Sequence, residues 1–281
     1  MTPTGPTSPV GPTGHTWDPQ QYLRHAGHRA RAFVDLLAHV PDPPAGHPRV
    51  ADLGCGPGNV TRLLADRWPT ARVTGYDNSP EMLDRARTDY EGPTPGGGRI
   101  DFAAADVRTW APPEPYDLIV SNATFQWVPG HLDRFADWVD ALAPGGTFAF
   151  QVPGNFDSPS HRLMRELARS ARWKDRLGDT LRHDDAVHTP VGYHAALADL
   201  GCEVDAWETT YVHLLQGEDP VLDWVKGTGL RPVLGELGPD ADPFVAEYRA
   251  ALREAYPPTA HGTPFPFRRI FVIAHKPETA R

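Results

Sequence analysis

From residue 20 the apolar positions fall three or four apart: Leu23, Ala26, Ala30, Phe33, Val34, Leu37 and Val40 form one stripe, with Arg29 and Arg31 off it and Pro41 behind it. That spacing predicts an amphipathic helix over 20–39. The next apolar run, Arg49-Val50-Ala51-Asp52-Leu53, is short and continuous and leads into Gly54-Cys55-Gly56-Pro57-Gly58-Asn59, after which helical residues run to Trp68 and stop at Pro69. The order is strand, glycine turn, helix. It repeats as a strand over 72–76, a helix opened by Ser79 as N-cap and Pro80, strands over 100–105 and 116–121, and a helix over 131–142. Pro144-Gly145-Gly146 then reads as a turn into a strand from Thr147 to Val152. This alternation predicts an α/β fold: a mostly parallel sheet, helices on both faces, right-handed crossovers.

Past residue 153 the pattern loosens. Thr189-Pro190 opens another helix, 203–212 alternates as a strand, and 270–275 reads as a final strand. The stretch over 217–266 reads as helical, and together with 154–188 it is expected to cover the substrate as a lid. The first 16 residues repeat Pro, Gly, Thr and Ser without periodicity and are expected to be a disordered tail, leaving one domain over 17–275.

Composition removes several function classes. The chain has 27 Lys+Arg against 36 Asp+Glu, a net charge of -9, and no long basic run, so a nucleic-acid partner is not expected. The apolar stretches near 118–130 and 141–156 are broken by Asn, Pro and Gly and fall short of the ~20 residues of a membrane span. Cys55 and Cys202 make no disulfide framework, and no basic start precedes an apolar run, so a cytoplasmic protein is expected. Thirteen histidines include His25-x-x-His28 but no HExxH pattern or ligand set, so no metal is expected. Cys55 reads as a packed residue, and the basic run from Arg162 to Arg182 as a solvated helix face.

The glycine turn between a strand and a helix lets a ligand approach the backbone, with the helix N-terminus offering N–H groups to a negative group. Asp77, 19 residues past Gly58, stands where an acid can accept a ribose hydroxyl pair. The glycines read G-x-G-x-G, whereas a dinucleotide fingerprint needs a third glycine that is Asn59-Val60 here. Asp52 would also repel a pyrophosphate, yet it suits the ammonium of a methionine moiety.

Ala51-Asp52-Leu53-Gly54-Cys55-Gly56-Pro57-Gly58, Gly75-Tyr76-Asp77-Asn78-Ser79, Ala105-Asp106-Val107 and Asp117-Leu118-Ile119-Val120-Ser121-Asn122 resemble the class I S-adenosylmethionine-dependent methyltransferases. The resemblance implies a Rossmann-like, seven-stranded, mostly parallel sheet whose last strand is reversed, and S-adenosyl-L-methionine as cofactor. It implies cofactor contacts at Gly54, Asp77, Asn78, Asp106 and Val107, to which position adds Asp52, Gly56, Gly58, Asn122 and, on the first helix, Tyr22 and Arg29. Trp17-Asp18-Pro19, Asn122-Ala123-Thr124-Phe125-Gln126-Trp127, Thr209-Thr210-Tyr211, Asp223-Trp224-Val225 and Thr228-Gly229-Leu230-Arg231-Pro232 are similar to a branch of that family that esterifies a small tricarboxylic acid. The inserted Gly92–Gly98 segment and a basic segment at 169–188 depart from it.

A carboxylate is already ionised at neutral pH, so such a reaction needs no proton-transfer residue, only positioning. Gln126 and Trp127, after the fourth strand, are expected to orient the acceptor. Tyr211, Arg231 and Arg269 are the expected substrate contacts, arginine suiting a planar carboxylate through its fork. Arg268 is the weaker member of its pair. The rival acceptor is a phenol, with His131 as base; a rival class is a non-catalytic S-adenosylmethionine-binding regulator. Monomer and weak oligomer both stay open.

Overall fold

The computed structural model describes residues 26–43, 46–112, 114–178, 180–181 and 186–278, with side chains from Ala30 onward. The tail, Tyr22 and the first turn of the expected helix lie outside the described residues, as does the side chain of Arg29. The chain divides into two compact units: residues 26–157, 186–213 and 266–278 form one, and 158–181 with 214–265 the other.

The first unit is built on a sheet centred on β1 (Arg49–Leu53), whose buried run pairs in parallel with β2 (Arg72–Asp77) on one side and β5 (Tyr116–Asn122) on the other. Outside these lie β4 (Arg99–Ala104) and β6 (Leu142–Pro153), both parallel, then β8 (Thr263–His275), antiparallel to β6, and β7 (Glu203–Leu215) at the edge. That is the expected reversed last strand. The sheet has eight strands rather than seven, because the inserted glycine segment contributes β3 (Gly92–Pro93), antiparallel to β4. Gly96 and Gly98 let this hairpin lie on the backbone of Pro69 and Ala71, where a Cβ would stand only 2.2 and 2.3 Å from its neighbours.

Strand alternation divides the core. Val50, Val73, Leu118, Val120, Ala149, Phe271 and Ile273 face a layer formed by α1 (Ala26–His39), α2 (Thr61–Arg67) and α3 (Pro80–Tyr90). Ala51, Leu53, Ile119, Phe148, Phe150 and Val272 face α4 (Phe135–Asp140) and α7 (Pro190–Ala198). Both caps read from sequence form, Ser79 accepting from the Met82 N–H at 3.3 Å and Thr189 from that of Gly192 at 3.2 Å.

Four expectations differ. On α1 and the residue after it the buried face includes Phe33, Leu36, Leu37 and Val40, spaced three, one and three, which turns Val34 outward to 49% exposure. The helix expected over 131–142 is a 3-10 turn (His131–Arg134) followed by the short α4, and β6 has begun by Leu142. Pro144-Gly145-Gly146 is not a turn but a register shift inside β6, Tyr116 pairing with Leu142 and Leu118 with Thr147, with Gly145 at φ +74° absorbing the extra residues. β8 begins at Thr263, seven residues early, because Phe265 and Phe267 alternate inward, each following a proline.

The second unit contains α5 (Pro159–Ala168), α6 (Lys174–Leu177), α8 (Pro220–Lys226), α9 (Arg231–Leu237) and α10 (Ala241–Ala255). The expected helical stretch therefore ends at Ala255. Its buried polar contacts centre on Ser160, whose N–H donates to the Tyr256 hydroxyl at 3.0 Å while its carbonyl accepts from the Tyr248 hydroxyl at 2.7 Å. Three arginines of the basic run are exposed and paired with carboxylates: Arg162 with Glu166, Arg172 with Glu247, and Arg176 with Asp240.

Candidate active site

β1 hands over to a turn in which Gly54, Gly56 and Gly58 all have left-handed backbones, φ +75°, +56° and +79°. Their reasons differ. A Cβ on Gly54 would lie 2.2 Å from Thr124 Oγ1 and one on Gly58 2.8 Å from the Phe102 ring, so packing demands both; around Gly56 nothing stands within 4 Å. The turn is held by Gly54 and Cys55 N–H groups donating to the Tyr76 carbonyl at 2.8 and 3.0 Å. Gly54→Ala is expected to destabilise the fold by roughly 2–4 kcal/mol, combining overpacking with left-handed strain, whereas Gly56→Ala costs about 1 kcal/mol. Urea unfolding of the two variants checks this ordering; equal losses would contradict it.

Asp77, the last residue of β2, closes the turn. Its Oδ2 accepts from the Gly56 N–H at 2.8 Å and its Oδ1 from the Ser79 N–H at 2.9 Å. Burial pushes its pKa up, against these N–H bonds. Asp52 is fully buried beneath the turn, its Oδ2 accepting from Thr61 Oγ1 at 2.6 Å, while its Oδ1 has no hydrogen-bond partner. Burial first, and the Asp77 charge after it, raise the Asp52 pKa to about 7. Two carboxylates and an open glycine suit a nucleoside bearing cationic groups and oppose a pyrophosphate. Cys55 is buried with its thiol pKa raised, as a packed residue should be.

The other expected contacts cluster near the sheet's C-terminal edge. Asn78 is exposed, Val107 is buried, and Asp106 is bound by Arg108 through three nitrogens, the bonds holding its carboxyl below the usual range. Asn122, Arg269 and Tyr211 are all buried. Arg269 Nη1 donates to Gln151 Oε1 at 3.1 Å, its guanidinium lies 4.6 Å over the Phe267 ring, and Gln151 Nε2 donates to Asn122 Oδ1. The Tyr211 hydroxyl donates to Asp35 at 2.6 Å, with Arg31 at 4.9 Å over its ring. Gln151 and Asp35 escaped the sequence reading, although a glutamine inside the apolar run Phe148-Ala-Phe-Gln-Val is a visible signal.

Gln126 and Trp127 form a 3-10 turn after β5, Gln126 buried with its Nε2 donating to the Ala123 carbonyl and Trp127 half-buried. His131 is not a base for an acceptor. It is 2% exposed, its Nδ1 meets the Val128 carbonyl at 3.1 Å and its Nε2 the Tyr193 hydroxyl at 2.9 Å. A carbonyl only accepts, so Nδ1 carries the proton and Nε2 accepts from Tyr193. Burial lowers its pKa from 6.5 to about 4, keeping it neutral. The unfolded chain therefore binds a proton that the folded chain refuses between about pH 6.5 and 4, and stability falls with acid across that window by about 1.4 kcal/mol per unit at most. His131→Asn should flatten that slope in urea unfolding series; an unchanged slope would contradict the buried neutral ring.

Arg268 is committed to structure, donating to the Gly154 carbonyl at 2.7 Å and pairing with Asp157 and Glu208. Arg231 belongs to the second unit, where it opens α9 with its N–H donating to the Thr228 carbonyl at 3.3 Å.

The sheet order, the glycine turn and the acid ending β2 define a class I S-adenosylmethionine-dependent methyltransferase, and a model described as a methyltransferase domain matches residues 50–146. The chain is 76% identical to a trans-aconitate 2-methyltransferase of Streptomyces avermitilis over 93% of this chain and 97% of that one. It is 71% identical to one of Streptomyces coelicolor, over 95% and 88%. It belongs to the trans-aconitate 2-methyltransferase family. In fold it is similar to a Haemonchus contortus phosphoethanolamine N-methyltransferase 2 solved with S-adenosylhomocysteine, at TM-score 0.50 and 15% identity over 88% of this chain and 52% of that one. Among the described residues no helix is long and apolar enough to cross a membrane.

Proposed function

We propose that the enzyme esterifies one carboxylate of trans-aconitate, giving the monomethyl ester and S-adenosylhomocysteine; the substrate is that named for the two Streptomyces relatives. The observation that carries the chemistry is the state of His131, buried, neutral and engaged at both nitrogens. The histidine beside the Gln126–Trp127 turn has no capacity left to deprotonate an acceptor. A carboxylic acid of pKa ~4 is about 99.9% ionised at pH 7, while a phenol of pKa ~10 is about 0.1% ionised. The acceptor best suited to such a site arrives already ionised.

The chain's own residues then bind and orient. Gly54, Gly56 and Gly58 offer backbone to the cofactor, Asp77 accepts its ribose hydroxyls, Asp52 balances its ammonium, and Asn78, Asp106, Val107 and Asn122 complete its contacts. S-adenosylmethionine supplies a methyl group on a sulfonium: the carbon–sulfur bond breaks as the carboxylate oxygen bonds that carbon, and the electron pair leaves on sulfur. Arg269 and Tyr211 hold the acceptor's carboxylates, and Gln126 and Trp127 align the reacting oxygen and exclude water. Free, buried Cys55 and Cys202 fit a reducing compartment, and we place the enzyme in the cytoplasm.

The test uses cofactor labelled in the transferred methyl group across a panel of organic acids and phenols. Label is expected in trans-aconitate, in a form that mild alkali releases as volatile methanol, as a methyl ester must. Alkali-stable label, or label only in a phenol, overturns the reading.

A further inference from the structure

We propose that Gln151 is a positioning residue for the acceptor: it fixes the Arg269 guanidinium that receives a substrate carboxylate and ties it to Asn122 at the cofactor side of the sheet. The inference rests on the esterification reading above.

The starting point is one face of the sheet, followed toward its C-terminal edge. Along β5 that face reads Leu118, Val120, Asn122; along β6, Ala149 then Gln151; along β8, traced backward, Ile273, Phe271, Arg269; along β7, Tyr211 then His213. Four adjacent strands thus turn from apolar to polar at the same end, where parallel α/β sheets bind their ligands. Pairing makes the three polar residues neighbours. Asn122 pairs with Gln151 across β5 and β6, and Arg269 pairs with Pro153 across β6 and β8, two residues from Gln151.

Burial makes this arrangement chemically specific. Gln151 is 1% exposed, Arg269 4% and Asn122 6%. Arg269 donates to Gln151 Oε1, which fixes the amide so that Nε2 donates to Asn122 Oδ1. The guanidinium plane is held from two directions, by the Gln151 amide in its plane and by the Phe267 ring beneath it. A neutral amide orients the guanidinium without adding a counter-charge of its own. A carboxylate at the same place would orient it equally well and cancel the charge. A glutamine is what an arginine needs if its charge is meant for an incoming carboxylate.

Gln151→Glu separates positioning from packing. Glutamate has the same shape, pairs with Arg269, and lets Asn122 reverse its amide and donate, so a purely structural role predicts a fold at least as stable and unchanged kinetics. The proposal predicts instead that Gln151→Glu raises the KM for trans-aconitate at least 30-fold, leaves the Kd for S-adenosylhomocysteine by calorimetry within twofold, and does not lower Tm. Gln151→Met, which removes the amide and keeps the Arg269 charge, should raise KM about fivefold to tenfold. An unchanged KM in Gln151→Glu, with wild-type enzyme turning over trans-aconitate, overturns the proposal and leaves the reading standing. A wild-type enzyme that methylates no carboxylic acid overturns both.

Discussion

Asp77→Ala is expected to weaken S-adenosylhomocysteine binding by about 10- to 150-fold while the KM for the acceptor moves less than threefold. The factor follows from removing a charged acceptor from a hydroxyl pair, ~1.5–3 kcal/mol. The residue acts in two ways at once. Its oxygens accept from the Gly56 and Ser79 N–H groups, so they also hold the middle of the glycine turn against the end of β2. Alanine leaves the Gly56 N–H without its acceptor, and Tm should fall as well. Asp77→Asn distinguishes the two contributions. The amide keeps the shape, but one of its two ends donates, so it opposes either Gly56 or Ser79 and still offers ribose one acceptor. Its affinity should lie between wild type and alanine. Calorimetry with S-adenosylhomocysteine is the measurement, and a Kd within twofold of wild type for Asp77→Ala would remove Asp77 from the cofactor site.

How much of this was legible in the chain depends on whether a residue's reason was local. The five parallel strands declared themselves through runs such as Val50-Ala51-Asp52-Leu53, and the caps Ser79 and Thr189 through their own side chains. Gly54 and Asp77 stood out because a turn between strand and helix restricts what fits there. The start of β6 was hidden for the opposite reason. Pro144-Gly145-Gly146 is turn chemistry by local preference, and only pairing with Tyr116 on one side and Lys276 on the other draws it into the sheet. Likewise Pro264 and Pro266 mask a strand whose inward Phe265 and Phe267 belong to packing partners far away in sequence. Val34 shows that a helical stripe of seven candidates leaves its edge undecided until the partner layer is known.

The site divides along the same line. Most of the proposed cofactor residues sit within a few positions of one another on β1, β2 and the turns after them, so their spacing and the motifs around them marked them. The residues proposed for the acceptor on the sheet come from strands far apart in the chain, and nothing in the sequence near Gln151 announces Arg269, which is 118 residues away. His131 was read as the nearest base because its position after the fourth strand is local information. Its neutrality is not: it comes from burial among Phe125, Phe135 and Tyr193, which only the folded layer brings together.

Arg269→Lys is expected to weaken acceptor binding strongly. Lysine keeps a unit charge but replaces a planar fork by a single ammonium, so two parallel hydrogen bonds to a carboxylate reduce to one. Losing one charge-assisted hydrogen bond in a buried setting costs ~2–3 kcal/mol, which raises the KM for trans-aconitate by about 30- to 150-fold. Lysine also sits less well on the Phe267 ring, over which the guanidinium stacks at 4.6 Å. Arg269→Met goes further, removing the charge and leaving Gln151 Oε1 facing a thioether, so it should approach loss of turnover at any reachable concentration. Neither change touches the glycine turn, and S-adenosylhomocysteine affinity should stay within twofold in both. Ionic strength supplies a second check. The acceptor is a trianion near pH 7, but a buried guanidinium is screened far less than a surface one, so the Lys and wild-type enzymes should keep the same ratio of kcat/KM between ~0.05 and 0.3 M salt. A ratio that collapses with salt would move the carboxylate contact to the exposed surface, and an unchanged KM in Arg269→Lys would remove Arg269 from the acceptor site altogether.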